Sequence, residues 1–298
     1  MTCKMRIAAP LAACGFLLVS SILLLAQACT PQPVSVTREP ETLHMVAADS
    51  FAPLIGDLVA AYEESRPWVR VTTEVLNTAV AETVLRDGRA DLALLSWLGE
   101  PEDGGQLWTE GFARDSVAVI VHPASPLTET GLAQLREIFR GRMQEWEGTV
   151  LTVVSREDGS GTRAAFESTA LEGEGTTLSA AVVSSSEAML ELVATTPGAI
   201  GYVSSLWLGP TQLANSTRLT GSTQLSSSTQ APRLDGGVRV LSVEGLLPTE
   251  QSVGDGSYPL WRQLYLASAG EPQGAARDFA QWLLQRSGMR DSATVAGP

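Results

Sequence analysis

An α/β fold built on parallel sheet is predicted from three features of the sequence. Strand-like and helix-like segments alternate from about residue 42 onward. The segment "ADLALLS" is a short continuous apolar run, of the kind that parallel sheets bury on both faces. An apolar content of 44% over 298 residues is that of a globular chain, long enough for one large or two ordinary domains.

Taken in order, "TLHMVAA" is the first strand. "SFAPLIGDLVAAYEESRP" places Leu54, Leu58 and Ala61/Tyr62 on one helical face, and Pro67 closes it. "VRVTTEV" alternates with period two, an open-faced strand. A helix runs from Thr78 to Asp87, and "ADLALLS" is the next strand. Beyond a Gly-rich loop, "RDSVAVIVHP" is a longer strand. Leu132, Leu135, Ile138 and Phe139 then form a helix stopped by Gly141. "TVLTVVS" leads into "SREDGSGTRAAF", from which the helix "GTRAAFESTAL" departs. Ser186 caps a helix carrying Met189, Leu190 and Val193, and "GAIGYVS" follows as a strand. Residues 215–230, "NSTRLTGSTQLSSSTQ", are polar and of low complexity, an exposed loop. "VRVLSVEG" and "YPLWRQLYLASAG" resume strand character. "GAARDFAQWLLQRSG" ends as an amphipathic helix with Phe279, Leu283 and Leu284 inward and Gly288 past its end.

The N-terminus reads as an export signal. Lys4 and Arg6 precede an apolar run from Ile7 to Ala28, and small residues precede Cys29 in "LLLAQAC". Residues 1–28 are expected to be a lipoprotein signal peptide, with Cys29 lipidated and residues 29–41 a Pro-rich linker. Ala26 departs from the leucine usual three positions before such a cysteine. The apolar run is also long enough to span a bilayer as an uncleaved anchor. Either way the remainder is expected outside the cytoplasm, held at the membrane.

Charge and rare residues exclude several classes. Without Lys4 and Arg6, 18 basic residues face 33 acidic ones, a balance of −15. Nucleic acid is therefore not an expected partner. Cys3 and Cys14 fall inside the signal, so Cys29 stands alone beyond it and no disulfide within the mature chain is expected. With only His44 and His122 available, neither a histidine-based metal centre nor a Ser-His-Asp triad has much to draw on, and no cofactor is expected.

"VVSREDGSGTRAAF" reads as strand, turn and helix start. Ser160 or Thr162 sits near the N-cap, which leaves the backbone N–H groups of Gly161, Thr162 and Arg163 unpaired. With the helix dipole they form an anion seat, and Arg156 offers a cation with Asp158 to hold it. The alternative is an ordinary capped turn with a surface arginine. A serine elbow needs G-x-S-x-G, whereas glycines immediately flank Ser160; a P-loop needs a lysine that this turn lacks.

The same stretch resembles the signature of the phosphate-binding proteins that feed Pst-type ABC importers. "ARDSVAVIVHPASPL", "LAQLREIFRGRMQEW", "TPGAIGYVSSLWL", "YPLWRQLYL" and "FAQWLL" resemble that family in the same order, over roughly Leu43 to Gly288. The resemblance implies a two-lobed type II periplasmic-binding-protein fold. Lobe one would comprise 42–120 and 204–298 and lobe two 121–203, with "SVAVIV" and "AIGYVS" crossing between them. It implies a non-enzymatic, monomeric protein that captures inorganic phosphate and passes it to an ABC permease.

Carried over by position, the first binding loop falls on Ser50 and Phe51. The second falls on Asn77 and Thr78, and the third on Ser96. The fourth comprises Arg156, Asp158, Ser160, Gly161 and Thr162. Two departures matter. "LNTAVAE" has Ala79 and Ala81 where the family has glycines. Ser96 stands where the family often has an aspartate that accepts the proton of monohydrogen phosphate, and Asp49 is either a substitute acceptor or, the reading favoured here, a solvated loop residue. Sulfate or another tetrahedral oxyanion is therefore an alternative ligand. A surface sensing module and a hydrolase using Ser160 are alternatives of other classes.

Overall fold

The computed structural model describes residues 39–99, 107–208 and 237–287. The expected signal peptide, Cys29 and the polar stretch 215–230 lie outside the described residues.

Strand β1 (Glu41–Ala48) is followed by a 3-10 turn (Asp49–Phe51) and helix α1 (Ala52–Ser65). Pro53 in the first turn suits a helix start, where its missing N–H is no loss. The buried face of α1 includes the expected Leu58 and Tyr62, with Ile55 in place of Leu54. Strand β2 (Val69–Leu76), helix α2 (Thr78–Arg86) and the fully buried strand β3 (Leu92–Leu95) follow. Next is β4 (Trp108–Val121), which begins six residues before the expected "RDSVAVIVHP". A short strand β5 (Glu129–Thr130), helix α3 (Leu132–Phe139) and the ribbon β6 (Glu145–Trp146) with β7 (Thr149–Val150) lead to β8 (Thr152–Arg156). Then come α4 (Gly161–Ala170), β9 (Ala181–Val183), α5 (Ser186–Thr195) and β10 (Ala199–Ser204). The N-cap of α5 is Ser185, whose side chain accepts from Ala188 N–H, so the expected cap lies one residue off. Short strands β11 (Arg239–Val240) and β12 (Ser242–Val243), helix α6 (Glu250–Gly254), strand β13 (Trp261–Ser268) and helix α7 (Gly274–Ser287) complete the chain.

Nine strands of the described residues join in the order β2-β1-β3-β13-β4-β10-β8-β9, with β11 also on β4. β1 pairs in parallel with β2 and β3, and β8 in parallel with β10 and β9. The parallel expectation holds for these two groups. It fails at the centre, where β13 runs antiparallel to β3 and β4, and β10 antiparallel to β4.

β4 belongs to both groups. Its residues Trp108–Ser116 pair with β13 and Val117–Val121 with β10. Two cores flank each group. On the first, Leu43, Met45, Tyr62, Phe279 and Leu283 pack together on one face, and Ala81, Val84, Leu85 and Leu95 on the other. On the second, Val117, Val119 and Val121 face the α3/α4 side, while Ala118 and Ile120 face α5. This is the period-two alternation of a strand buried on both faces. Residues 238–260, expected with lobe one, contribute Val238, Leu241, Val243, Val253, Tyr258 and Leu260 to these second cores, because β11 pairs β4 at Ile120 and Val121.

Candidate anion-binding site

Five loops that follow the parallel strands carry the polar residues of interest. The turn at Asp49–Phe51 follows β1, Asn77 and Thr78 follow β2, and Ser96 follows β3; residues 157–161 follow β8, and Ser184–Ser186 follow β9. The carboxyl ends of parallel strands are where open α/β sheets bind ligands, since the helices that follow direct their N-termini there.

Three of these loops meet directly. Gly161 N–H donates to Thr78 Oγ1 at 3.1 Å, Thr78 Oγ1 and Ser96 Oγ share a hydrogen bond at 3.1 Å, and Ala79 N–H donates to the Gly159 carbonyl at 3.0 Å. Glycine is required at both glycine positions of the turn. Gly159 has φ +83°, and a Cβ on Gly161 would lie 2.5 Å from Thr78 Oγ1 and 2.6 Å from Ser96 Oγ. Asn77 caps α2 by accepting from Val80 N–H, and Ser160 caps α4 by accepting from Arg163 N–H. A cavity of about 200 Å³ opens beside this contact, lined by Thr78, Trp97, Ser160 and Gly161 among others.

The polar side chains here are deeply buried: Ser50, Thr78, Ser96, Arg156, Ser160 and Thr162 are each at most 5% exposed. Burial of polar groups is unfavourable unless they are paired. Most are paired, but Ser50 Oγ has no hydrogen-bond partner among the described residues. Phe51 belongs to the first core, with its ring 6.0 Å from that of Phe112, so any contact it makes to a ligand is through its N–H.

Arg156 is held by more groups than the sequence indicates. Its Nε and Nη2 donate to Glu157 at 2.9 and 3.1 Å. Nη1 donates to Asp49 Oδ2 at 2.9 Å and Ser186 Oγ at 3.0 Å, and Nη2 also reaches the Ser184 carbonyl at 3.5 Å. These contacts engage all five guanidinium N–H groups. Burial alone would lower its pKa, but the Glu157 and Asp49 carboxylates outweigh that and raise it, so the charge is secure. Asp158 does not hold Arg156. Its side chain is 96% exposed and pairs with Arg163, while Glu157, one residue nearer, takes the guanidinium.

Asp49 is the second partner that the sequence left open. Its Oδ2 accepts from Arg156, from Ser186 N–H at 3.0 Å and from Ser186 Oγ. A carboxylate thus sits on the N-terminus of α5. Below Arg156, Tyr202 Oη bonds Ser155 Oγ at 2.8 Å and accepts from Arg156 N–H at 3.3 Å. Burial pushes its phenol up to about 12, with Ser155 and the Arg156 N–H pulling against that.

A second buried arginine went unnoticed in the sequence. Arg262 donates from Nε and Nη2 to Asp115 Oδ2 at 3.0 and 2.7 Å, and from Nη1 to Thr162 Oγ1 at 3.1 Å. The two buried arginines therefore face three carboxylates, Asp49, Glu157 and Asp115. The site's hold on an anion must come from hydroxyls, N–H groups and the α4 N-terminus more than from net charge. Only the pairing of β13 with β4, which sets Arg262 opposite Asp115, brings this arginine to the site.

A family model described as "PBP superfamily domain" matches residues 34–287. The chain belongs to the PBP superfamily. Among curated relatives of this PBP chain, the phosphate-binding protein PstS of Bacillus subtilis is 23% identical over 305 residues, covering 94% of this chain and 91% of that one. Among solved structures, a Clostridium perfringens protein, assigned as a phosphate ABC transporter substrate-binding protein and solved with phosphate bound, superposes with TM-score 0.68. It is 22% identical and the match covers 83% of this chain and 95% of that one. An ABC-type phosphate transport receptor from Vibrio cholerae gives TM-score 0.59 at 23% identity, over 82% and 93% of the two chains. At these identities the structures show the fold, the two-lobed α/β architecture of the superfamily.

Proposed function

We propose that this PBP chain captures inorganic phosphate between its two lobes and delivers it to an ABC permease. The observation that carries this reading is the convergence of Thr78, Ser96 and Gly161 on one buried spot beside the capped N-terminus of α4. The chain also parallels the Bacillus subtilis phosphate-binding protein over nearly all of its length. The lobes are taken as 42–116 with 261–287, and 117–208 with 238–260, because the two groups of cores divide there. The protein works outside the cytoplasm, monomeric and lipid-anchored through Cys29, and catalyses no reaction. Among the described residues no helix is long and apolar enough to cross a membrane.

Magnitudes support a buried site. Micromolar affinity corresponds to about −8 kcal/mol. Hydrogen bonds to a charged ligand contribute about 1.5–3 kcal/mol each, so four or five reach that range after ordering costs. Calorimetric titration of the purified chain with phosphate and with sulfate, from about pH 5 to 8, tests the reading. Phosphate binding at low salt is expected; heat from neither anion overturns it. The alternative of sulfate or a related oxyanion keeps one observation in its favour, that Ser96 and not a carboxylate bonds Thr78.

A further inference from the structure

Thr162 is the second residue of α4 and is buried, 2% exposed. A hydroxyl has one proton to give and two lone pairs. Here Oγ1 accepts from Arg262 Nη1, and arginine has no lone pair with which to take the hydroxyl proton in return. The direction of this hydrogen bond is fixed by chemistry, whatever the rotor angle. Among the described residues no acceptor takes the Thr162 proton.

Arg262 is itself immobilised. Asp115, fully buried, takes Nε and Nη2 of Arg262 on Oδ2, together with Ser204 Oγ at 2.8 Å, and takes Ser205 Oγ at 2.6 Å on Oδ1. Arg262 and Asp115 face each other in register across β13 and β4. The chain Ser204/Ser205–Asp115–Arg262–Thr162 is therefore braced from the β10 end through the central strands to the start of α4.

We propose that Arg262, held by Asp115, is a positioning residue that occupies a lone pair of the Thr162 hydroxyl and leaves its proton to be donated to the bound oxyanion. This rests on the phosphate reading above and adds to it a residue one hundred positions away in sequence. An orientation imposed in this way prefers a deprotonated ligand oxygen at Thr162.

A double-mutant cycle read by calorimetry with inorganic phosphate tests the proposal. Thr162→Val and Arg262→Met are each expected to weaken phosphate binding about tenfold or more. Arg262→Met introduced into the Thr162→Val background is expected to add less than about twofold, because its effect travels through the missing hydroxyl. A further tenfold loss there, or unchanged affinity in a folded Arg262→Met protein, overturns the proposal. A purely structural role for Arg262 would lower the melting temperature without this dependence on Thr162. If Arg262→Met does not fold, Asp115→Asn/Arg262→Met removes both buried charges together and enters the same cycle with the same criteria. A wild-type chain that binds sulfate but not phosphate overturns the phosphate reading alone, and the cycle is then read with sulfate. Binding of neither overturns both.

Discussion

Ser50 holds a buried hydroxyl that finds no hydrogen-bond partner among the described residues. An unsatisfied buried hydroxyl costs about 1–3 kcal/mol. Ser50→Ala should therefore leave the ligand-free protein equally or more resistant to urea, while weakening phosphate binding about tenfold or more; equal affinity would remove Ser50 from the site. Arg156 has the opposite profile. Arg156→Ala leaves the partly buried Asp49 and Glu157 without their cation, so unfolding by urea should register a loss of about 1.5–3 kcal/mol, with weakened phosphate binding in whatever folds. Asp158→Ala touches only an exposed pair with Arg163 and should keep phosphate affinity within about twofold. The contrast between Glu157 and Asp158 marks a limit of reading residues in order. Both carboxylates follow Arg156 closely in sequence. Strand β8 ends at Arg156 and the chain turns at once, and this turn alone decides which carboxylate folds back.

The element that decides the site is the start of α4. It was legible in the sequence because its reasons are local: a strand, glycines where the backbone turns and approaches, and a serine cap. Gly161→Ala tests the closeness. A methyl group 2.5 Å from Thr78 Oγ1 must push α2 and α4 apart, and phosphate affinity measured by calorimetry should fall by about tenfold or more although alanine suits a helix. The strand beneath makes a pH prediction. Tyr202 has its pKa raised to about 12 by burial, so its contribution to stability is complete below its ordinary value near 10 and is lost as pH rises from there to about 12. Tyr258, raised by burial as well, acts in the same direction. Melting temperature should fall across that interval as these phenols ionise, with a matching late rise in ultraviolet phenolate absorbance. Elements without local cues escaped notice. β9 and the first part of β4 are short or mixed in pattern, and become strand through neighbours that lie far off in sequence; α6 has a local cue, the capping box of Thr249 and Ser252, but is only five residues long. The Arg262–Asp115 pair, 147 residues apart, is the extreme case, since no window of sequence contains both.

Across the whole molecule, acidic composition and anion capture are reconciled by scale. The chain carries −13 overall, which repels anions at a distance, while hydrogen bonds act within a few ångströms in a site shielded from water. Ligand should stabilise the folded state by mass action. At about 100 times the dissociation constant the gain is about 2.7 kcal/mol, so a thermal scan with phosphate should show an upward shift larger than that with equimolar sulfate. The two parallel groups were partly legible, since parallel β/α units announce themselves; the antiparallel centre was not, because a strand that joins two groups looks in sequence like any long apolar strand. That shared strand carries a mechanical implication. β4 gives its first nine residues to β13 and its last five to β10, and Asp115 lies at the changeover. Any bending of the sheet at this changeover would have to strain the ion pair that Asp115 makes with Arg262. The stiffness of that one carboxylate–guanidinium contact would then set how readily β4 gives way there.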